Sequence, residues 1–150
     1  MMAYRFSKPQ FDSLSGEGAR LFGGRWNSKG KAVIYSSLTI SLSLLELLIH
    51  SAAYDEILTN ELCVLELPDH HLSEIEIKQL KHGWQNDESY SRYIGDEFLS
   101  SQSSLLLKVP SVIIPEENNI LINPKHKDFK KIKIRSAKHF KFDARLFKSA

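Results

Sequence analysis

Cysteine is almost absent from this chain of 150 residues, which contains only Cys63. One thiol cannot form an internal disulfide or a cysteine-based metal centre, so the chain is not a disulfide scaffold. Long apolar runs are missing too, because the stretch from Leu44 to Ile49 is interrupted by Glu46 and is far too short to cross a bilayer. The start, MMAYRFSKPQ, lacks the features of a secretory signal. We therefore expect a cytoplasmic protein with no membrane association.

Familiar metal and nucleotide motifs are lacking as well. The six histidines are scattered or, at His70 and His71, adjacent, and neither HExxH nor an EF-hand loop occurs. The glycine-rich stretch GEGARLFGG is not followed by Gly-Lys-Ser/Thr and does not contain GxGxxG. The sequence therefore predicts no metal site, and no phosphate loop of the Walker or Rossmann type.

What is present is the composition of an ordinary globular protein, with 42% hydrophobic and 25% charged residues. We expect one domain over residues 1–150. Ten basic and two acidic residues lie in 120–150, whereas residues 1–119 hold ten basic and sixteen acidic ones. This basic segment indicates either a solvated strand face, since Ile132 and Ile134 alternate with charged residues, or a surface for nucleic acid or an acidic partner.

Hydrophobic patterns and turn residues predict a mixed set of elements. The predicted strands are 4–6, 32–35, 62–67, 105–109, 112–114, 120–122, 131–135 and 139–142. The predicted helices are one capped by Thr39 or Ser41 and running to about Ala53, then 73–81 and 87–101, while residues 7–31 are expected to form a long ordered loop. Strands and helices do not alternate regularly, so the fold class is α+β.

Glu46 lies within SLSLLELLIH, a helix that we expect to be buried because it is apolar nearly all round. A carboxylate there is costly unless it is paired or hydrogen-bonded. The pattern leaves open a functional Glu, a structural Glu that is paired with a buried Arg or with His50, and a Glu that faces solvent.

The segment GGRWN places Arg25, Trp26 and Asn27 directly after two glycines, which allow a close approach of the backbone to another group. The guanidinium of Arg25 suits a phosphate, Trp26 offers a face for stacking, and Asn27 offers an amide. A surface arginine after a glycine turn is the alternative interpretation.

Three further polar residues lie on or beside predicted strands. Tyr35 ends a strand, and most such tyrosines only pack. Arg5 alternates with two aromatic residues and would face a cleft if those aromatics face the core. Ser111 follows Pro110 without a Gly-x-Ser-x-Gly elbow, so it is either a turn residue or an orienting hydrogen-bond donor, not an evident nucleophile.

Taken in order, these segments resemble the RES domain, the toxin of bacterial RES–Xre toxin–antitoxin systems. The resemblance runs through YRFS, GGRWNSKGKAVIYSS, SLSLLELLIH, GDEFL, LLLKVPSVIIPEENNILINPKH and FDARLF, and so covers nearly the whole chain. It implies a fold similar to ADP-ribosyltransferases, with a split β-sheet core and flanking helices around an NAD⁺ cleft.

The resemblance also implies an activity and a set of site residues. NAD⁺ would be the substrate, with no further cofactor, and the bond between nicotinamide and ribose would be broken by hydrolysis or phosphorolysis. The family's Arg, Glu and Ser correspond to Arg25, Glu46 and Ser111, and Tyr35 matches a further active-site tyrosine. From the chemistry of their side chains, the expected NAD⁺-binding residues are Arg5, Arg25, Trp26, Asn27 and Tyr35. Arg5 is a rival or helper of Arg25 for the diphosphate or ribose, and Trp26 either stacks on the nicotinamide as Tyr35 would or only packs.

The implied partner is an Xre-type helix-turn-helix antitoxin, so DNA would be contacted only through that partner. The basic segment could then touch the antitoxin or the phosphates in the cleft. Other hypotheses are transfer of ADP-ribose onto a host protein, a nucleic-acid-binding module or ribonuclease that uses the basic segment, and an inactive relative kept for binding.

Overall fold

The computed structural model describes residues 1–147, so Lys148 of the basic segment lies outside the described part. Within these residues the chain forms seven strands, four α-helices and four short 3₁₀ turns. The strands are β1 (Met2–Ser7), β2 (Ile34–Ser37), β3 (Glu61–Glu66), β4 (Leu72–Glu74), β5 (Leu106–Pro110), β6 (Asn118–Ile122) and β7 (Lys133–His139). The helices are α1 (Glu17–Phe22), α2 (Ile40–His50), α3 (Tyr54–Leu58) and α4 (Glu88–Ser101). The expected α+β class is confirmed.

The strands form one sheet in the order β4-β5-β6-β2-β1-β3-β7. Only β4 and β5 are parallel, and every other neighbouring pair is antiparallel. Strands β1 and β2 share a single register pair, Tyr4 with Ser37, whereas β1 pairs with β3 along its whole length. The sheet is thus split at this junction into two well-paired halves, as expected for the core.

Apolar side chains cover both faces of the central strands because successive residues point to opposite sides. Ile120 and Ile122 of β6 belong to one core cluster, and Leu121 between them belongs to the other. The second cluster includes Trp26, Trp84 and residues of α4. Helix α4 therefore packs against the same face of the sheet as the segment that contains the glycine pair.

Several local predictions are confirmed with small shifts. Strand β2 starts at Ile34 and not at Ala32, and α4 begins after the capping residue Asp87. Thr39 is the residue that caps α2, since its hydroxyl accepts a hydrogen bond from the Leu42 amide. Among residues 1–147, no helix is long and apolar enough to cross a membrane.

Five predicted segments are wrong in detail. Residues 7–31 are not loop throughout, because they contain α1. The predicted helix 73–81 is instead the end of β4, which pairs with β5, followed by the 3₁₀ turn Ile77–Gln79. Residues 112–114 form a turn and not a strand. The two predicted C-terminal strands are one, β7, which ends at His139 and is almost entirely exposed, as a solvated strand would be.

Helix α2 is less buried than predicted. Only Leu42 and Ser43 are buried, and Ile49 is 66% exposed. One side of the helix contacts β1 and β2. Around the rest of it, the side chains of Leu44, Leu45, Leu47 and Leu48 are only half-buried. The apolar sequence overestimated burial because hydropathy does not say how many layers surround a helix.

Candidate active site

A cavity of about 400 Å³ opens beside the junction of β1 and β2. Its walls come from β1, α1, the segment 23–26, β2, α2 and the turn after β5. The polar and charged lining residues are Arg5, Arg25, Tyr35, Ser36, Ser37, Ser43, Glu46, His50 and Asn119. Five predicted site residues therefore meet at one place: Arg5, Arg25, Trp26, Tyr35 and Glu46.

Glu46 is held by groups that lie far away in sequence. Its Oε1 accepts hydrogen bonds from Asn119 Nδ2 at 2.7 Å and from the Ser111 hydroxyl at 3.2 Å. Its Oε2 lies 3.7 Å from His50 Nδ1, and its side chain is 25% exposed. The carboxylate is thus neither buried against an arginine nor turned into bulk solvent. It is fixed through one oxygen and faces the cavity.

Ser111 is fully buried and lies behind Glu46, outside the cavity wall. Its hydroxyl donates to Glu46 and accepts from the amides of Ile113 and Ile114. This local bonding replaces strand pairing and explains why 112–114 form a turn. Because Ser111 is fully buried and does not line the cavity, its hydroxyl is placed to hold the Glu46 carboxylate and not to attack a ligand in the cavity.

Arg25 projects from the segment after the glycine pair, with 23% of its side chain exposed. Its Nη1 donates to the Gln85 carbonyl at 2.9 Å, and its Nη2 lies 3.8 Å from the Glu88 carboxylate. The guanidinium is therefore oriented at the cavity wall and is not a freely moving surface group. It retains donors that can bind an anion.

Tyr35 connects the cavity to the glycine segment, which is the stretch 23–28 that begins with the glycine pair. Its hydroxyl donates to Asn27 Oδ1 at 2.6 Å and accepts from the Trp26 amide at 3.0 Å. A Cβ at Gly24 would lie 2.8 Å from this hydroxyl, so the close approach requires glycine. Burial raises the pKa of Tyr35 far above its usual range, so the phenol stays neutral.

Trp26 and Asn27 use their side chains inside the protein. Trp26 is 3% exposed, and its ring packs at 6.1 Å from that of Trp84. Asn27 is fully buried, and its amide donates to the carbonyls of Ala19 and Lys31. These contacts shape the segment and leave the Asn27 amide no free donor for a ligand.

Arg5 is the most unusual cation of the cavity. Its Nη1 reaches only the Tyr35 carbonyl, at 3.4 Å, and its Nε has no hydrogen-bond partner among the described residues. Burial lowers the pKa of Arg5, and the nearby Cys63 and Asp12 partly offset this effect. Arg5 also lines the cavity, so its guanidinium lies beside any anion that binds there.

Helix α4 anchors the glycine segment, which the sequence did not reveal. The Ser91 hydroxyl donates to the Arg25 carbonyl, and the Asp96 carboxylate accepts from the amide and hydroxyl of Ser28. Gly95 lies so close to Trp26 that a Cβ would stand 1.7 Å from the Trp26 carbonyl oxygen. The GDEFL motif is therefore a platform for the Arg25 segment.

Asn119 was also missed by the sequence, although it contacts Glu46 directly. It lies opposite Ser37 in the pairing of β2 with β6, and the Ser37 hydroxyl donates to its Oδ1 at 2.7 Å. The only signal was a run of polar residues at the start of an apolar strand.

A cluster of His71, His126 and Asp128 lies away from the cavity, with their potential ligand atoms within 4.8 Å of one another. The spacing of the histidines in sequence gave no sign of it. The Lys131 ammonium lies 3.2 Å from Asp128, and it lowers the pKa of this carboxyl together with the two histidines. The positive charge of Lys131 thus already neutralises the negative charge of the Asp128 carboxylate.

None of the basic residues from 120 to 147 lines the cavity. The suggestion that the basic segment contacts phosphates in the cleft is therefore wrong for its described residues. The geometry combines a fixed carboxylate with two oriented guanidinium groups. Such a site can hold an anionic ligand and stabilise positive charge that develops beside the carboxylate.

Comparisons with known proteins show which family and which fold this chain is similar to. The family model described as the RES domain matches residues 2–144. The chain is 39% identical to the "Prs ADP-ribosylating toxin" of Sphingobium sp. over 93% of this chain and 89% of that protein. It is 38% identical to "Toxin Res" of Yersinia enterocolitica over 86% of this chain and 88% of that protein.

The fold is similar to that of a chain in the crystal structure of the M. tuberculosis MbcT–MbcA toxin–antitoxin complex. The TM-score is 0.74 at 21% identity, over 91% of this chain and 81% of that chain. At this identity the likeness concerns the fold.

Proposed function

This chain belongs to the RES domain family, and from that premise we propose that it is a toxin that breaks the bond between nicotinamide and ribose in NAD⁺. The observation that carries the proposal is the Glu46 carboxylate, fixed by Asn119 and Ser111 and directed into a cavity that two arginines line. NAD⁺ is the substrate, and no other cofactor is required.

The chemistry needs a negative group beside the ribose. When the glycosidic bond breaks, its electron pair leaves with the nicotinamide nitrogen, which loses its positive charge, and the ribose carbon becomes oxocarbenium-like. A carboxylate at that point stabilises the transition state more than the ground state. Water or phosphate then bonds to the ribose carbon, and attacking water releases one proton. Glu46 supplies the carboxylate, and Ser111 and Asn119 hold it.

The remaining site residues bind and orient. Arg25 and Arg5 are placed to pair with the diphosphate, because both line the cavity and the Gln85 carbonyl orients Arg25. Tyr35 presents its ring to the cavity while its hydroxyl is tied to the glycine segment. Trp26 and Asn27, expected from the sequence to bind NAD⁺, act by shaping that segment.

Transfer of ADP-ribose onto a host protein is the second candidate reaction. This reaction is supported by a relative that is named as an ADP-ribosylating toxin and is 39% identical to this chain. Both reactions break the same bond and differ only in the group that attacks the ribose carbon.

The proposed partner is an antitoxin, because the structural neighbour comes from a toxin–antitoxin complex. We propose an Xre-type antitoxin with a helix-turn-helix domain, so that DNA is contacted only through it. The protein would act in the cytoplasm, where NAD⁺ is available.

Replacing Glu46 by Gln tests the function with little change of shape. We expect NAD⁺ cleavage to fall by about 10²- to 10³-fold, because the amide carries no negative charge. Purified protein is incubated with NAD⁺, with and without phosphate, and products are identified by chromatography and mass. Glu97→Gln, an exposed helix residue outside the cavity, is the control.

The products separate the candidate reactions. Free ADP-ribose indicates hydrolysis, its phosphorylated form indicates phosphorolysis, and a mass gain on a co-incubated host protein indicates transfer. If Glu46→Gln cleaved NAD⁺ as fast as the unaltered protein, Glu46 would have no catalytic role and the proposal would fail.

A further inference from the structure

A second cavity, of about 480 Å³, adjoins the first across the glycine segment. The two cavities share Gly23, Gly24, Arg25 and His50 as lining residues. Arg25 therefore stands at their boundary, with its guanidinium oriented by the Gln85 carbonyl. A ligand bound at Arg25 can extend into both spaces.

The two cavities differ in chemistry. The first contains the Glu46 carboxylate, whereas the second is lined beyond Arg25 by Phe22, Lys29, Glu88 and Arg92. Its charged groups are thus three cations and one anion. Glu88 lies between two of the cations, 3.8 Å from Arg25 and 3.2 Å from Arg92. The second cavity is suited to a ligand that carries negative charge.

Phe22 gives the second cavity an aromatic surface. It is the last residue of α1 and is 78% exposed, although large aromatic side chains usually gain from burial. Because the neighbouring Gly23 has a φ of 72°, the chain turns sharply directly after Phe22. An exposed ring beside cationic groups can stack on a nucleobase.

We propose that the second cavity binds the adenosine half of the dinucleotide, with the purine on Phe22 and the diphosphate on Arg25. This inference rests on the proposed function, which places the nicotinamide riboside beside Glu46 in the first cavity. A dinucleotide has two nucleoside units joined at the diphosphate, and the structure offers two spaces joined at an arginine. Lys29 and Arg92 add positive charge along the adenosine side.

Phe22→Ala tests the assignment by comparing two substrates. NAD⁺ contains adenosine, whereas nicotinamide mononucleotide has the same scissile bond and one phosphate but no adenosine. Loss of a stacking surface should raise KM for NAD⁺ about fivefold or more, with kcat unchanged. KM for nicotinamide mononucleotide should not change. Tyr93→Ala, which removes an aromatic ring that is 66% exposed and lies outside both cavities, should leave both values unchanged.

Two results would overturn the assignment: an unchanged KM for NAD⁺ in Phe22→Ala, or equal increases for both substrates. Direct calorimetry with adenosine monophosphate separates this failure from that of the proposed function. Suppose that the unaltered protein did not cleave NAD⁺. The adenosine site would still be supported if the protein bound adenosine monophosphate, and if Phe22→Ala weakened this binding while Tyr93→Ala retained it. Absence of binding by the unaltered protein would then reject it.

Discussion

Replacing Ser111 by Ala removes a hydroxyl that orients Glu46 from behind the cavity wall. The side chain is fully buried and outside the lining, so the substitution alters no ligand contact directly. The lost interaction is a hydrogen bond to a carboxylate at 3.2 Å, a type worth about 1.5–3 kcal/mol. Asn119 still holds the same oxygen at 2.7 Å, so the carboxylate stays in the site but is less constrained.

The expected effect of Ser111→Ala is on the chemical step. If the whole interaction energy acts in the transition state, kcat falls by about 10- to 150-fold. KM should change little, because no binding group is lost. The amides of Ile113 and Ile114 also lose their acceptor, so thermal stability should drop.

Steady-state kinetics with NAD⁺, together with thermal unfolding, measures both effects. Ser104→Ala is the matched control, since it removes a buried hydroxyl that bonds only to the hydroxyl of Ser73, away from the cavity. A folded Ser111→Ala protein with unaltered kcat would refute the positioning role. A rise in KM alone would assign Ser111 to binding instead.

Two further predictions concern stability. Gly95→Ala should lower the free energy of unfolding, measured by urea titration, by about 1–3 kcal/mol or more, because the new Cβ would stand 1.7 Å from the Trp26 carbonyl oxygen. Gly18→Ala is the control and should not destabilise the protein, because its Cβ meets no atom within 4 Å. Equal stability of the two variants would contradict the close packing at Gly95. Asp128→Asn should lower the melting temperature at neutral pH, because Lys131 and the two histidines lower the pKa of Asp128 in the folded protein. The stability that Asp128 contributes is present above the ordinary aspartate pKa and disappears as the pH falls through its folded-state pKa. Melting curves from pH 7 to pH 2 should therefore converge with those of the unaltered protein, and a constant difference would contradict the linkage.

How far the site could be predicted differs from residue to residue. Glu46, Arg25 and Tyr35 were found because short motifs contain them, and the structure brings them to one cavity. Asn119 was not found, because its contact with Glu46 spans 73 positions in sequence and depends on which strands pair. Trp26 and Asn27 were assigned to NAD⁺ from their residue types, and this assignment stays a prediction. Residue type alone did not indicate that both side chains are buried.

The elements show the same division. Helix α2 and its Thr39 cap, helix α4 and strand β1 follow from local patterns, because caps and hydrophobic periodicity act within a few residues. The segment 73–81 failed because the parallel pairing of Leu72–Glu74 with β5 extends it as a strand.

The sequence by itself determined the α+β class, the family motifs and the helix that carries Glu46, since these depend on neighbouring residues and on composition. Only the tertiary structure decided that Ser111 and Asn119 hold the carboxylate, that Arg5 is buried without a full set of partners, and that Arg25 joins two cavities. The reason is physical. The pairing of β2 with β6 and the packing of α4 under the glycine segment set these distances, and contacts between residues remote along the chain are fixed by register and burial.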